Sequence, residues 1–136
     1  MDDKIRLDVV TPYGLVLSED VDELTATGSE GEFGVLPGHV PFITTLNIGM
    51  VIIKKDGQTR NVFVGSGYAE VTFDKVVVLA ESAEKAEDID VERAVAARQR
   101  AEERMRQAEK IDFGRATAAI ERATIRIQIA EKRSSK

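Results

Sequence analysis

Apolar and polar positions follow two different periods in this chain, and the change comes near residue 84. Before it, short β-branched runs recur with turn signals between them, the pattern of strands. Ile5–Val10 stops at Thr11-Pro12, Leu15–Leu17 follows Gly14, and Val21–Ala26 ends before Gly28. Pro41–Leu46 and Met50–Lys54 flank Asn47 and Gly49. Asp56-Gly57 stands between Val51–Lys55 and Thr59–Val64, a strong two-residue hairpin signal. Tyr68–Phe73 alternates, Phe73–Val76 reads as another tight turn, and Val76–Ala80 is a continuous apolar strand. About eight to ten short strands in so short a stretch imply an all-β sandwich or barrel.

Beyond residue 84 the period lengthens to that of helices. Helix one is expected from Asp90 to Ala108 and helix two from Asp112 to Lys132. In helix two, Phe113, Ala116, Ile120, Ala123, Ile127 and Ala130 alternate spacings of 3 and 4, an a/d seam. Ala94, Ala97, Ala101, Met105 and Ala108 form a matching seam in helix one. The two predict an antiparallel hairpin. Alanine-rich seams bring helices close but bury little area, so at about 25 cal/mol per Å² the contact is weak glue.

Composition sharpens this division. Nine of the ten glycines and all three prolines lie at or before Gly67. Residues 1–83 carry a formal charge of −7 and residues 84–136 carry +2. At 136 residues the chain has room for a hydrophobic core without staples. It has no cysteine, which excludes disulfides, thiolate metal sites and cysteine nucleophiles. A single histidine, His39, excludes a multi-histidine metal site. A net charge of −5 has the wrong sign for general nucleic-acid binding, and the lack of tryptophan argues against stacking platforms. No run approaches the length of a membrane span, and the acidic start MDDKIRLDVV lacks a signal-peptide apolar region. A soluble, cytoplasmic protein is expected.

Few motifs carry chemistry. In Ile89-Asp90-Val91-Glu92-Arg93-Ala94, Asp90 is a good N-cap, with Ile89 and Ala94 at the hydrophobic-staple positions. The pattern recurs at Ile111-Asp112-Phe113-Gly114-Arg115-Ala116, so it is first a helix-start device, which leaves room for a second role. Arg100 and Arg104 are four apart, as are Arg122 and Arg126, and such like-charge pairs cost a few tenths of a kcal/mol. Glu103 is within reach of Arg100, whereas no acid stands three or four positions from Arg122 or Arg126. Arg115, Arg122, Arg126 and Arg133 are 7, 4 and 7 apart and share one face. That face is either solvated or made for an anionic partner, a phosphate or an acidic protein surface. Gly31–Pro41 is dense in glycine and proline but lacks the spacing of a phosphate loop, and tight turns account for it. No catalytic or metal-binding constellation can be assembled around His39 or elsewhere.

The two regimes, in this order, resemble the epsilon subunits of bacterial F-type ATP synthases over essentially the whole chain. The resemblance is carried by GEFGVLPGHVPFIT (Gly31–Thr44), VFVGSGYAEV (Val62–Val71) and KVVVLAESAEKAEDID (Lys75–Asp90). It implies an α+β protein: a ten-stranded β-sandwich over residues 1–84 that binds the gamma subunit and the membrane c-ring, then an α-helical hairpin over 85–136. It implies a noncatalytic rotor subunit, peripheral to the membrane through its complex, at the cytoplasmic face of the bacterial plasma membrane. The hairpin would block ATP hydrolysis when extended along gamma, its basic helix facing the catalytic beta subunit, and permit turnover when folded. No cofactor is required, and ATP is a candidate regulatory ligand of the folded form. The nucleotide candidates carried over are Glu84, Ile89, Asp90, Arg93, Ala94, Arg100, Arg122 and Arg126; the partner-interface candidates are Gly31, His39, Arg115, Arg122 and Arg133. A stand-alone nucleotide-sensing module is the alternative, told apart by whether the chain co-purifies with a stalk partner.

Overall fold

The computed structural model describes residues 4–107 and 113–134, with side chains through residue 132. It divides into two compact units, Met1–Lys85 and Ala86–Lys136.

Among the described residues the first unit holds nine strands: β1 Ile5–Thr11, β2 Gly14–Val21, β3 Glu23–Gly28, β4 Gly31–Val35, β5 Phe42–Lys55, β6 Gln58–Val64, β7 Gly67–Val71, β8 Lys75–Ala80 and β9 Ala83–Lys85. One layer runs β2-β1-β8-β7 and continues into the first half of β5; the other joins β4, β3, the second half of β5, β6 and β9. All pairings are antiparallel except β1 with β8. The count falls one below ten because β5 is a single strand of 14 residues where the sequence reads two runs. Its first half pairs with β7 and its second with β6, so the bend at Asn47–Gly49 passes the chain between layers without breaking the strand. Gly49 permits the bend: a Cβ there would stand 2.6 Å from Thr27 Oγ1, beside the register shift between Ala26 and Gly28.

Alternation along the strands makes the core. Ile5, Leu7 and Val9 of β1 and Val76 and Val78 of β8 face Leu24, Val35, Val51 and Ile53 from the other layer, all essentially inaccessible to solvent. The Asp56-Gly57 turn has φ of 52° and 79°, the left-handed pair of a type I′ hairpin. Gly31–Val35 corrects the reading of that segment as turns alone. It is an edge strand paired to β3 from Leu24↔Val35 to Gly28↔Gly31, where lost side-chain packing at its glycines is offset by backbone hydrogen bonds.

Ion pairs tie the sandwich surface. Lys4 Nζ donates to Asp22 at 2.6 Å and to Asp56 at 3.0 Å, while the Asp56 N–H donates to Asp22. Asp22 above all, with Asp56, raises the Lys4 ammonium above its ordinary value, and the same contact lowers Asp22. The Ser18 hydroxyl donates to Asp8 at 2.6 Å and, with Lys75 beside it, holds that carboxyl below the usual range.

The second unit begins with a 3-10 turn, Ala86–Asp88, followed by α1 Val91–Gln107 and α2 Phe113–Ser134. The helices pack along one another on Ala94 and Ala101 from α1 and Ala116, Ala123, Ile127 and Ala130 from α2, all buried. With only residues 108–112 between them, they pack as an antiparallel hairpin. The seam position Phe113 is 55% exposed, and Ile129, which lies outside the seam, is fully buried. Ala108, Ile111 and Asp112 lie outside the described residues.

Candidate functional site

The candidate nucleotide residues fall in three places: Ile89, Asp90, Arg93 and Ala94 at the start of α1, Arg100, Arg122 and Arg126 further along the two helices, and Glu84 in the sandwich unit. Chain direction changes at Ile89, whose N–H donates to Ala86 O at 3.3 Å and whose side chain is buried. Asp90 then starts α1: its Oδ1 accepts the Arg93 N–H at 3.0 Å and its carbonyl accepts the Ala94 N–H at 3.0 Å. This is the N-cap that the sequence predicts, formed because a short carboxylate there satisfies an otherwise orphaned amide. Asp90 is exposed, and its second carboxylate oxygen has no hydrogen bond among the described residues. Arg93 is exposed and Ala94 is packed inward.

Antiparallel packing sets the last turns of α2 beside this start, and α2 also touches the 3-10 turn. Arg126 and Arg122, both half-buried, stand back from that end, about two and three turns before Ser134. Arg100 is exposed two turns along α1, about 10 Å from Arg93 at 1.5 Å per residue. Arg115 is exposed at the far end of α2, about 16 Å from Arg126 on the same rise. Sequence spacing put Arg115, Arg122 and Arg126 on one face, spread over about 16 Å of helix length. The Arg133 side chain lies outside the described residues. Glu84 belongs to the sandwich unit, on β9 opposite Phe63 of β6.

Glu103 serves other partners than the one assigned from sequence. It pairs with Arg106 at 3.4 Å and accepts from Gln107 at 2.9 Å, following the favoured order of an acid N-terminal to its base. Ile129 was missed, although its spacing of seven from Arg122 puts it on the arginine face. It is fully buried, and Arg122 and Arg126 on the same face are half-buried.

The two remaining interface candidates sit in the sandwich. Gly31 closes the two-residue β3–β4 hairpin with φ of 119°. His39 follows β4, with Nδ1 2.7 Å from Val40 O and its ring 5.1 Å from Phe42. Phe42 meets Phe33 edge-on at 5.4 Å, so a chain of rings links the His39 loop to β4. No group of three acidic or histidine side chains suited to a metal occurs among the described residues, and no helix described is long and apolar enough to cross a membrane.

Comparison with known proteins matches this two-part architecture. The model described as ATP synthase, Delta/Epsilon chain, beta-sandwich domain matches residues 4–86, and that of the long alpha-helix domain of the same chain matches 87–131. The ATP synthase epsilon chain of Thermodesulfovibrio yellowstonii is 57% identical over 107 residues, 79% of this chain and 76% of that one. That of Trichlorobacter lovleyi is 55% identical over 107 residues, 79% and 78% of the two chains. Among solved structures, a chain in the mitochondrial ATP synthase of Euglena gracilis, an assembly of OSCP, F1 and c-ring, superposes with a TM-score of 0.79. It is 23% identical, with 92% of this chain and 80% of that one covered, a likeness of fold alone.

Proposed function

The chain belongs to the ATP synthase delta/epsilon family, and from that premise we propose that it serves as the epsilon-type subunit of an F-type ATP synthase. It is noncatalytic, sits in the rotor, and joins the gamma subunit to the c-ring at the cytoplasmic face of the bacterial membrane. The observation that carries this reading is that both units, sandwich and helical pair, match the two domains of one family in the same order.

The helical unit acts as a brake on ATP hydrolysis. Its interface supports this role: the buried seam is mostly alanine, with Ile127 as its large buried side chain among the described residues. Such a contact separates at modest cost, so two arrangements of the helices differ by only a few kcal/mol. Extended, the arginines of α2 face an acidic surface of the catalytic beta subunit. Folded, Arg122 and Arg126 offer guanidinium forks to phosphate oxygens, with Arg93 and Arg100 on α1, while the second oxygen of Asp90 accepts from the adenine amino group. A ligand shifts the balance only by its differential affinity. ATP at 100 times its Kd adds about 2.7 kcal/mol to the folded form, enough to tip a balance of that size.

Two measurements test this. Hydrolysis at low ATP is compared between the assembled enzyme carrying the full chain and one carrying residues 1–85. Faster turnover with the shortened chain is expected, and equal rates remove the brake. Calorimetry of the full chain with ATP, with and without magnesium, should show binding that Arg122→Ala and Arg126→Ala weaken; absence of heat removes the nucleotide site.

A further inference from the structure

One edge of the first layer is β2, which pairs with β1 alone among the described residues. Its inward row is Leu17, Glu19 and Val21, set in register against Val9, Leu7 and Ile5 of β1. Leu17 and Val21 are buried with those three in the core, so a carboxylate between them is out of keeping with its row. On the facing layer the inward row of β6 is Arg60, Val62 and Val64, in register with Ile53, Val51 and Gly49 of β5. Val62, Val64, Ile53 and Val51 belong to the same core. Glu19 and Arg60 therefore both point inward, from opposite layers, and they meet as an ion pair at the rim of the core. The Glu19 side chain is 20% exposed and that of Arg60 39%. Glu19 Oε1 is wholly buried, with Arg60 as its ion-pair partner and no hydrogen bond among the described residues.

Two such charges are a poor choice for stability alone. Taking each out of water is costly, and an apolar pair of similar volume is often as stable or more so. What the pair supplies is a condition. While both charges are present they hold β2 to the second layer. With one removed, the other is left at the core rim without a partner, which is worse than having neither. β2 is also free to leave without its neighbours. As an edge it takes one ladder of hydrogen bonds with it, and that ladder is already interrupted by the register shift between Val9 and Val10. Removing β1 or β8 would break two ladders. A second fastening between the layers is of a different kind. Lys4, just before β1, reaches Asp22 between β2 and β3 and Asp56 at the tip of the β5–β6 hairpin. Those carboxylates are 42% and 73% exposed, so salt screens this contact and it contributes little.

We infer that β2 is a latched edge strap: the Glu19–Arg60 pair holds it against the second layer, and loss of either charge alone frees it while the rest of the sandwich stays folded. The sandwich then has two states, one closed and one with β2 open, and the latch sets the balance between them. The inference stands on the sandwich itself and does not depend on the partners that the chain takes.

Native-state hydrogen exchange of the full chain, followed amide by amide on β2, β7 and β8, tests this. Arg60→Met should speed exchange on β2 by about tenfold or more and leave β7 and β8 unchanged. Glu19→Met should act in the same direction but less, because the long stem of Arg60 lets its charged head reach water. Glu19→Met with Arg60→Met should restore slow exchange, since neither charge is then left alone. Lys4→Met should speed exchange on β2 by no more than about fivefold, an effect that fades at about 1 M salt. The inference is overturned if Arg60→Met leaves β2 as protected as before, if protection falls equally on β7 and β8, or if the double variant does not recover. An Arg60→Met chain that fails to fold overturns it too, because the pair would then govern the whole sandwich and not β2. An effect of Lys4→Met as large as that of Arg60→Met would place the latch elsewhere.

Discussion

Replacing Asp90 separates two roles that one carboxylate plays. Four amides at the start of α1 have no intrahelical acceptor, and Oδ1 of Asp90 takes the Arg93 amide at 3.0 Å. Asp90→Ala leaves that amide to water and should cost about 1 kcal/mol, from a range of about 0.5–2 for such caps. On the scale where 1.4 kcal/mol is tenfold, opening of the first turn becomes about fivefold more frequent. Asp90→Asn keeps a capping oxygen of equal quality and loses only the charge, which at a helix N-terminus contributes about 0.3–1 kcal/mol at low ionic strength. At about 1 M salt the Debye length falls to about 3 Å and that part fades. At high salt the asparagine variant should therefore match the unaltered chain while the alanine variant does not. Hydrogen exchange at the Arg93 amide of the full chain reads the difference. Equal protection in all three proteins, or equal loss in both variants at high salt, would refute the cap as the source of the effect. Calorimetry with ATP then isolates the second role. An asparagine variant that keeps its protection and loses nucleotide affinity assigns the charge to the ligand, whereas unchanged affinity leaves Asp90 a cap alone.

The remaining predictions concern the sandwich. Residues 1–85 should fold alone and melt cooperatively, because their buried cluster is complete and β9 is retained against β6; a chain lacking shift dispersion in proton spectra would contradict this. Gly49→Ala should destabilise by about 1–3 kcal/mol in denaturant titration, since the new Cβ would press on Thr27. Asp8 is depressed chiefly by the Ser18 hydroxyl, so its contribution is fully present above its unfolded value near 3.8 and is lost as pH falls through the lower folded value. Ser18→Ala should raise that folded value and move the acid unfolding midpoint to higher pH, read by circular dichroism; an unchanged midpoint would sink the assignment.

Local chemistry alone determined several features. Asp56-Gly57 specified a type I′ hairpin because its two left-handed residues suit few other turns, and Asp90 specified a helix start because its short side chain reaches its own third amide. The loss of proline and glycine after Gly67 marked where one kind of structure yields to another. The shared face of the α2 arginines was visible because helical spacing is arithmetic, whereas only the resemblance joined them to the Ile89–Ala94 turn. Contacts between distant segments decided the rest. Nothing local pairs β1 with β8 in parallel, since the acceptor of the Arg6 N–H, Asp74 O, lies some seventy residues away. Nothing local turns Gly31–Val35 into a strand, because an edge strand with two glycines is held by the ladder of β3 and not by its own propensity. β5 reads as two runs because Asn47 and Gly49 look like a turn, yet pairing along one edge with β7 and then β6, and along the other with β3, draws it out as one strand. Phe113 and Ile129 exchanged the burial that a strict seam assigns, because a heptad fixes which side chains share a stripe but not how much of the surrounding face is covered. Glu19 and Arg60 come from two separated stretches, each an unremarked residue, and only the stacking of one layer on the other turns two inward charges into a pair.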